Sequence, residues 1–314
     1  MSLEICPESL WERLCQEDAT CTFYQTPIWH RIAARHYHAE SAPLLFRLGN
    51  DGNTEACLPL LKKRRWGRDV YFSPFGTYSA LICSRQLAPE ELEAIALKLK
   101  RLNIHLVSSP FAKNVVTVGT PLETKTQVID LTSMDAENPM RDWEPDQRRR
   151  ALLAQKNGVI VKEATSPEEW KRYYALYEIS IRRWGEKATG VYPASLFEDI
   201  RCSLSGSSSM RLWLAEHNGE IGGGCLVFYH NGWAMYWHGA SDQRFFALGT
   251  TQLLYLTMIQ DALSRNFSVL DLMGSAGLEK LEAFKGKFGA RTVEFTSSVN
   301  RTGFARFAAG LLHR

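Results

Sequence analysis

Apolar and polar positions change period several times along the chain, and the clearest succession lies between residues 211 and 296. Stretches 211–215, 220–229 and 232–240 are apolar and rich in β-formers, and His217-Asn218-Gly219 and Asn231-Gly232 separate them. Asn-Gly between apolar runs favours a tight hairpin, because both residues accept positive φ at low cost. The apolar period then lengthens to that of a helix over about 247–265 and shortens to a strand over 268–272. A second helix follows over about 278–288, closed by Gly289, and a strand over 291–296 ends the series. The order is three antiparallel strands, helix, strand, helix, strand.

The first half has a related rhythm. A short helix carries Leu10, Trp11 and Leu14 on one face, and Thr26-Pro27 opens a helix running to about Tyr37, with proline at its first position. Stretches 42–48, 55–61 and 69–82 are strand-like, with Asn50-Asp51-Gly52-Asn53 as the first turn. Pro89-Glu90-Glu91 starts a helix with Leu92, Ile95, Leu99 and Leu102 at helical spacing, and strands over 104–107 and 127–131 follow. Residues 144–157 read as a linking helix ended by Gly158. Ser166-Pro167-Glu168-Glu169 is a capping-box start for a helix lined by Trp170, Tyr173, Tyr174, Tyr177 and Ile181. A helix over 194–204 places Leu196, Ile200 and Leu204 in register. Each half therefore reads two helices, three strands, helix, strand. The expected fold class is α/β with mixed sheets flanked by helices, in two domains, 1–143 and 144–314.

Composition narrows the function classes. At 314 residues with 45% hydrophobic content the chain supplies two cores, and a net charge of +3 does not call for DNA. Seven cysteines (Cys6, Cys15, Cys21, Cys57, Cys83, Cys202, Cys225) form an odd set without a C-x-x-C pair, which argues for reduced thiols. No apolar run reaches the ~18 residues of a membrane span. Glu4, Glu8 and Glu12 near the start do not fit a signal peptide, so a soluble cytoplasmic protein is expected. H-E-x-x-H, Walker and G-x-S-x-G patterns are missing from the sequence, and His36-Tyr37-His38 has no carboxylates at metal spacing. Neither a metal site nor a serine hydrolase is expected.

Several residues carry candidate chemistry. On an ideal wheel of the 278–288 helix, Leu278, Leu281, Phe284 and Phe288 share an arc, and Lys285 falls inside it. A lysine there must snorkel, pair or face a cavity, since burying a bare ammonium is costly. Asp271 ends the 268–272 strand just before Met273-Gly274-Ser275, the kind of position where ligands of such sheets bind. It either acts on an acceptor amine as a base, or caps the next helix or pairs with Lys285. Strand alternation puts Tyr236 and His238 on one face and Trp237 on the other. His238 is either a general base or a hydrogen-bonded core histidine. Arg148-Arg149-Arg150 and Arg182-Arg183-Trp184 offer guanidinium groups suited to phosphate, or else solvated helix faces. Lys62-Lys63-Arg64-Arg65-Trp66-Gly67-Arg68 is the densest basic run, either a solvated hairpin tip or a contact for RNA or anionic lipid.

The element order, the Phe284-Lys285 pair followed by Phe288-Gly289, and the acid with glycine behind it at Asp271 resemble the FemAB-like transferases of the GNAT superfamily. The resemblance implies tandem GNAT-like domains, the first degenerate and the second holding the transfer site. It implies an N-acyltransferase in which Lys285 steadies negative charge, Asp271 orients an acceptor ammonium or takes its proton, and Tyr236 and His238 line the site. Arg149 and Arg183, with Trp184, would grip a phosphate of the acceptor. GNAT enzymes hold the coenzyme A pyrophosphate with R/Q-x-x-G-x-G/A at the start of the long helix. The matching residues are Arg244-Phe245-Phe246-Ala247-Leu248-Gly249, with alanine replacing the first glycine. Acyl-CoA and aminoacyl-tRNA therefore both remain open as donors, and no tightly bound cofactor is implied. The implied acceptor is a cell-envelope precursor, either a peptidoglycan stem peptide or an amino sugar of a capsule or exopolysaccharide, with tRNA and a peripheral membrane contact as open partners. A non-catalytic scaffold that binds RNA or glycan, and a small-molecule N-acetyltransferase, are the alternatives.

Overall fold

The computed structural model describes residues 4–49, 54–65, 67–185, 190–275 and 277–301. The expected turn at Asn50-Asp51-Gly52-Asn53, and Trp66 of the basic run, lie outside them. Two compact units divide the chain, one of Met1–Thr124 with Glu294–Arg314 and one of Lys125–Val293. The division falls at 124/125 rather than 143/144, and the last strand returns to the first unit.

In chain order the first unit holds β1 (Glu4–Ile5), α1 (Glu8–Glu17), α2 (Pro27–Tyr37), β2 (Glu40–Ser41), β3 (Leu44–Leu48), β4 (Thr54–Leu58), β5 (Leu61–Arg65), β6 (Arg68–Phe72), α3 (Pro89–Leu99) and β7 (Asn103–Val107). β8 (Thr120–Asp130) follows, and its residues from Lys125 on belong to the second unit. The stretch expected as one strand over 55–61 is two, because Pro59 lacks the N–H a ladder needs. Likewise β6 stops at Phe72, before Pro74 enters a 3₁₀ turn. The basic run is a hairpin, with Arg65 paired to Arg68. Lys62 is tied to Glu40 at 2.7 Å. Leu44, Phe46, Ile95, Leu99 and Leu106 are fully buried in the unit's core, as the helical spacing of α3 predicted.

The second unit continues with α4 (Pro145–Lys156), β9 (Ile160–Glu163), α5 (Pro167–Trp184), α6 (Ala194–Ser203), β10 (Met210–His217), β11 (Glu220–His230), β12 (Trp233–Ser241), α7 (Thr250–Ser264), β13 (Val269–Asp271) and α8 (Glu279–Gly286). The last strand, β14 (Arg291–Asn300), starts here. Within the unit the strand order is β8-β13-β12-β11-β10-β9. β12 and β13 run parallel, joined by α7, and their pairing covers only Trp233–Met235 against Val269–Asp271. The pairing ends at Met235 because β13 itself ends at Asp271.

Local chemistry sets these elements. Ser166 accepts from Glu169 N–H and the Glu169 carboxylate accepts from Ser166 N–H, closing the capping box that starts α5. Its buried face is Trp170, Tyr173, Leu176, Tyr177 and Ser180. Two glycines of β11 fix which helix covers which face. A Cβ on Gly223 would meet Leu254 of α7 at 2.9 Å, and one on Gly224 would meet Tyr173 of α5 at 2.7 Å. Successive strand residues face opposite sides, so α7 and α5 lie on opposite faces of the sheet.

Candidate active site

The carboxyl end of β13 brings two of the expected residues, Asp271 and Lys285, to one turn. Asp271 pairs in register with Met235, the residue before Tyr236. Its Oδ1 accepts from the Thr126 hydroxyl at 2.5 Å and from Met273 N–H at 2.8 Å. Lys285 Nζ donates to the carbonyls of Met273 at 2.9 Å and Gly274 at 3.1 Å. Asp271 is fully buried and Lys285 only 3% exposed. Burial pushes the Lys285 ammonium down to about 8, against the opposing pull of Asp271 and Glu282. The lysine neither snorkels to water nor sits bare; it is solvated by two backbone carbonyls.

Packing holds α8 in this place. Phe288 stacks on Tyr255 of α7 at 4.1 Å and meets Trp143 edge-on at 4.8 Å. Tyr255 also meets Tyr236 at 6.0 Å and Phe284 at 6.1 Å, so one ring joins the β12 side to the α8 side. The expected arc of α8 is corrected in one respect: Leu278 and Leu281 are 46% and 38% exposed. The helix is rotated so that Lys285 reaches the turn carbonyls, and the two leucines turn outward.

His238 belongs elsewhere. β12 carries a bulge, since Leu226 pairs with His238 and Val227 with Tyr236. The extra residue, Trp237, breaks the alternation that put Tyr236 and His238 on one face. Tyr236 packs toward α7, with its hydroxyl over Gly239, where a Cβ would come within 1.9 Å. His238 turns instead to α5 and α6. Its Nδ1 lies 2.6 Å from the Tyr173 hydroxyl, with Tyr177 at 4.4 Å and Phe197 at 5.0 Å between ring centroids. Burial pushes the imidazole down to about 3, so it is neutral near pH 7. This is the hydrogen-bonded core histidine of the two readings.

The basic candidates differ in what they face. Arg149 and Arg150 both bind Asp146, at 2.6 and 2.8 Å, and the side chain of Arg149 is 75% exposed. Arg244 is held by Asp242 at 2.8 Å and Glu220 at 3.4 Å. Arg183 sits in the last turn of α5, donates to Ser241 O at 2.7 Å, and lies 5.1 Å from the Phe246 ring and 5.9 Å from that of Trp184. Desolvation lowers its guanidinium, with Asp242 opposing. Trp184 and Phe246 are 37% and 43% exposed. The expected long helix starts late: residues 243–248 are a 3₁₀ turn and α7 begins at Thr250. Gly249 has φ 76°, and a Cβ there would sit 2.3 Å from the Arg150 carbonyl oxygen. Thus α4 lies against the start of α7, the position of the Arg244–Gly249 stretch that left the donor open. Among the described residues no cluster of three or more His, Cys, Asp or Glu side chains fits a metal ion.

Thr126, Gln127, Tyr255 and Phe246 were not foreseen. Tyr255 was legible only as a core residue of α7. Thr126 and Gln127 sit in a strand whose first residues are exposed and polar, so no apolar period marks its length.

Residues 146–286 match the model of the acetyltransferase (GNAT) domain. No curated protein sequence matches the chain. Among solved structures, the crystal structure of FemX aligns with a TM-score of 0.71 at 13% identity, covering 95% of this chain and 97% of that one. L-PGS from Bacillus licheniformis aligns with a TM-score of 0.56 at 12% identity, covering 96% and 95%. The C-terminal domain of a putative lysylphosphatidylglycerol synthetase from Agrobacterium fabrum aligns at 0.56 with 8% identity, covering 94% and 93%. At these identities the likeness is one of fold. No helix among the described residues is long and apolar enough to cross a membrane.

Proposed function

We propose that this chain, whose residues 146–286 match the acetyltransferase (GNAT) domain and whose fold is like that of FemX, forms an amide on a cell-envelope precursor, taking an aminoacyl group from aminoacyl-tRNA. The acceptor amine attacks the ester carbonyl, the carbonyl oxygen takes up negative charge, and the tRNA ribose oxygen leaves. The amine gives up a proton and the ribose oxygen gains one, so the step is balanced. The carrying observation is that the Asp271 carboxylate and the Lys285 ammonium both bind Met273 in the turn at the carboxyl end of β13. Two of the three ammonium N–H groups of Lys285 bind carbonyls. The third is available to the developing oxyanion, which a preorganised donor stabilises more than the ground state. Asp271 orients the acceptor amine and takes its proton. Arg183, flanked by Trp184 and Phe246, contacts an acceptor phosphate. Arg149 and Arg244 are engaged by carboxylates and His238 is packed and neutral, so this reading assigns none of them a step in the transfer.

The contact of α4 with Gly249 favours aminoacyl-tRNA over coenzyme A, because it fills the approach a pyrophosphate would use. The name of the putative lysylphosphatidylglycerol synthetase structure, a lysyl group joined to a phospholipid, agrees with an aminoacyl group and an envelope acceptor. A second reading, acyl-CoA as donor, rests on the GNAT domain match itself. The test incubates the protein with acetyl-CoA or with alanyl-, seryl- or glycyl-tRNA. Acceptors are a UDP-linked muramoyl pentapeptide and a UDP-linked amino sugar, and mass spectrometry reads the amide product. Amide formed from a charged tRNA supports the proposal. Amide formed only from acetyl-CoA moves the donor to the second reading, and binding without product from any pair overturns the transfer reading.

A further inference from the structure

We infer that Thr126 and Gln127 of β8 are positioning residues of the transfer centre, so that the centre depends on a strand lying before the 146–286 domain match. The inference rests on the reading of Asp271 and Lys285 given above. Three consecutive residues of β8 touch the turn that follows β13. The carbonyl of Lys125 lies 2.9 Å from where a Cβ on Gly274 would be, so the turn passes too close for any larger residue. Thr126 donates to Asp271 Oδ1 at 2.5 Å, and both side chains are fully buried. Gln127 binds three ways. Its carbonyl accepts from Leu272 N–H at 2.8 Å, its Oε1 accepts from the Ser275 hydroxyl at 3.0 Å, and its Nε2 donates to Glu282 O of α8 at 2.8 Å. One side chain therefore links the turn to the helix that carries Lys285.

Each bond has a separate consequence. Without the Thr126 hydroxyl, Asp271 loses a buried donor and its carboxylate is free to rotate away from Met273. Without the Gln127 amide, α8 and the turn lose their shared anchor. A group that acts in a transition state must be held to fractions of an ångström, and displacement of about 1 Å costs on the order of a hundredfold in rate. A strand that served the sheet alone would need its backbone ladder and not these two side chains.

The experiment compares the wild type with Thr126→Val, which keeps the shape and removes the hydroxyl, and with Thr126→Ser, which restores it. Two readouts are taken: hydrogen–deuterium exchange of peptides spanning residues 272–285, and kcat and KM in the transfer assay described above. Thr126→Val is expected to speed exchange in that segment by about tenfold while the other core peptides stay protected. It is expected to lower kcat by about tenfold to a hundredfold with donor KM within about twofold, and Thr126→Ser to recover most of both. Should Thr126→Val fail to fold, Gln127→Met carries the same comparison from the other side of the turn. Exchange within about twofold of wild type in the folded variant overturns the inference, as does a kcat loss that Thr126→Ser does not recover. If the wild type transfers nothing, the transfer reading fails by itself, and the exchange result alone decides whether β8 holds the turn.

Discussion

Asp271 and Lys285 grip the two ends of a single residue: the carboxylate accepts from Met273 N–H at 2.8 Å and the ammonium donates to Met273 O at 2.9 Å. Met273 has φ 60°, a left-handed conformation that costs a side-chain-bearing residue about 1–2 kcal/mol. The two charged groups therefore hold a strained turn at the tip of β13. Strain of this kind persists where the surroundings over-determine it.

The buried ammonium makes stability depend on pH. Lysine titrates near 10.5 in the unfolded chain and near 8 for Lys285 in the folded one. Between those values the unfolded chain binds a proton that the folded chain has lost, so raising the pH through this window favours the folded state. Measured against Lys285→Met, the unfolding free energy of the wild type is expected to rise by about 2–3 kcal/mol between pH 7 and pH 10.5. Denaturant titrations of both proteins across that range check it. A difference that stays flat means the ammonium is not desolvated as described.

His238 is expected to matter for stability and not for turnover. The imidazole is pushed down to about 3, and its neutral form faces the Tyr173 hydroxyl. His238→Phe leaves that hydroxyl without its ring partner and is expected to cost about 1–3 kcal/mol of stability. Turnover per folded molecule, measured by amide formation, is expected to stay within about threefold of wild type. The pH–rate profile is expected to show no inflection from this residue near 6.5, the ordinary histidine value.

Arg183 is expected to act on acceptor affinity. It is bound to a carbonyl and flanked by two half-exposed rings. Arg183→Lys keeps the charge but loses the planar fork, and is expected to raise acceptor KM by about tenfold with kcat little changed. Steady-state kinetics at varied acceptor concentration decide this.

Gly249 is expected to tolerate no side chain. Both its φ of 76° and the Arg150 carbonyl, 2.3 Å from an added Cβ, oppose one, and a backbone oxygen cannot swing aside. Gly249→Ala is expected to destabilise the chain by about 1–3 kcal/mol and to raise proteolytic sensitivity around α4. Stability within about 0.5 kcal/mol of wild type would show that α4 does not press on this point.

How much of this was legible depended on whether the deciding contacts were local. The capping box at Ser166 and Glu169, the hairpin turns of β10 to β12 and the apolar face of α3 are set by residues a few positions apart, and all formed as read. The proximity of Asp271 and Lys285 was legible because a lysine in an apolar arc and an acid at a strand end both need partners. The bulge at Trp237 was not, because a two-residue alternation looks the same until the partner strand is known, and its one-residue shift sent His238 to the other face. The outward turn of Leu278 and Leu281 was likewise hidden, since the carbonyls that bind Lys285 lie in a separate turn and leave no mark in the helix sequence. Thr126 and Gln127 act across about 145 residues of chain, and no spacing rule reaches that far.

The central claim is that the Lys285 ammonium and the Asp271 carboxylate serve the transfer step itself. Its most direct test is the single-turnover rate of amide formation for Lys285→Met and Asp271→Asn, each with saturating donor and acceptor and with folding checked by circular dichroism. The expected result is a rate lowered by about a hundredfold or more in both folded variants. Rates equal to wild type in both would contradict the account, leaving the pair as a brace for the turn and the chemistry elsewhere.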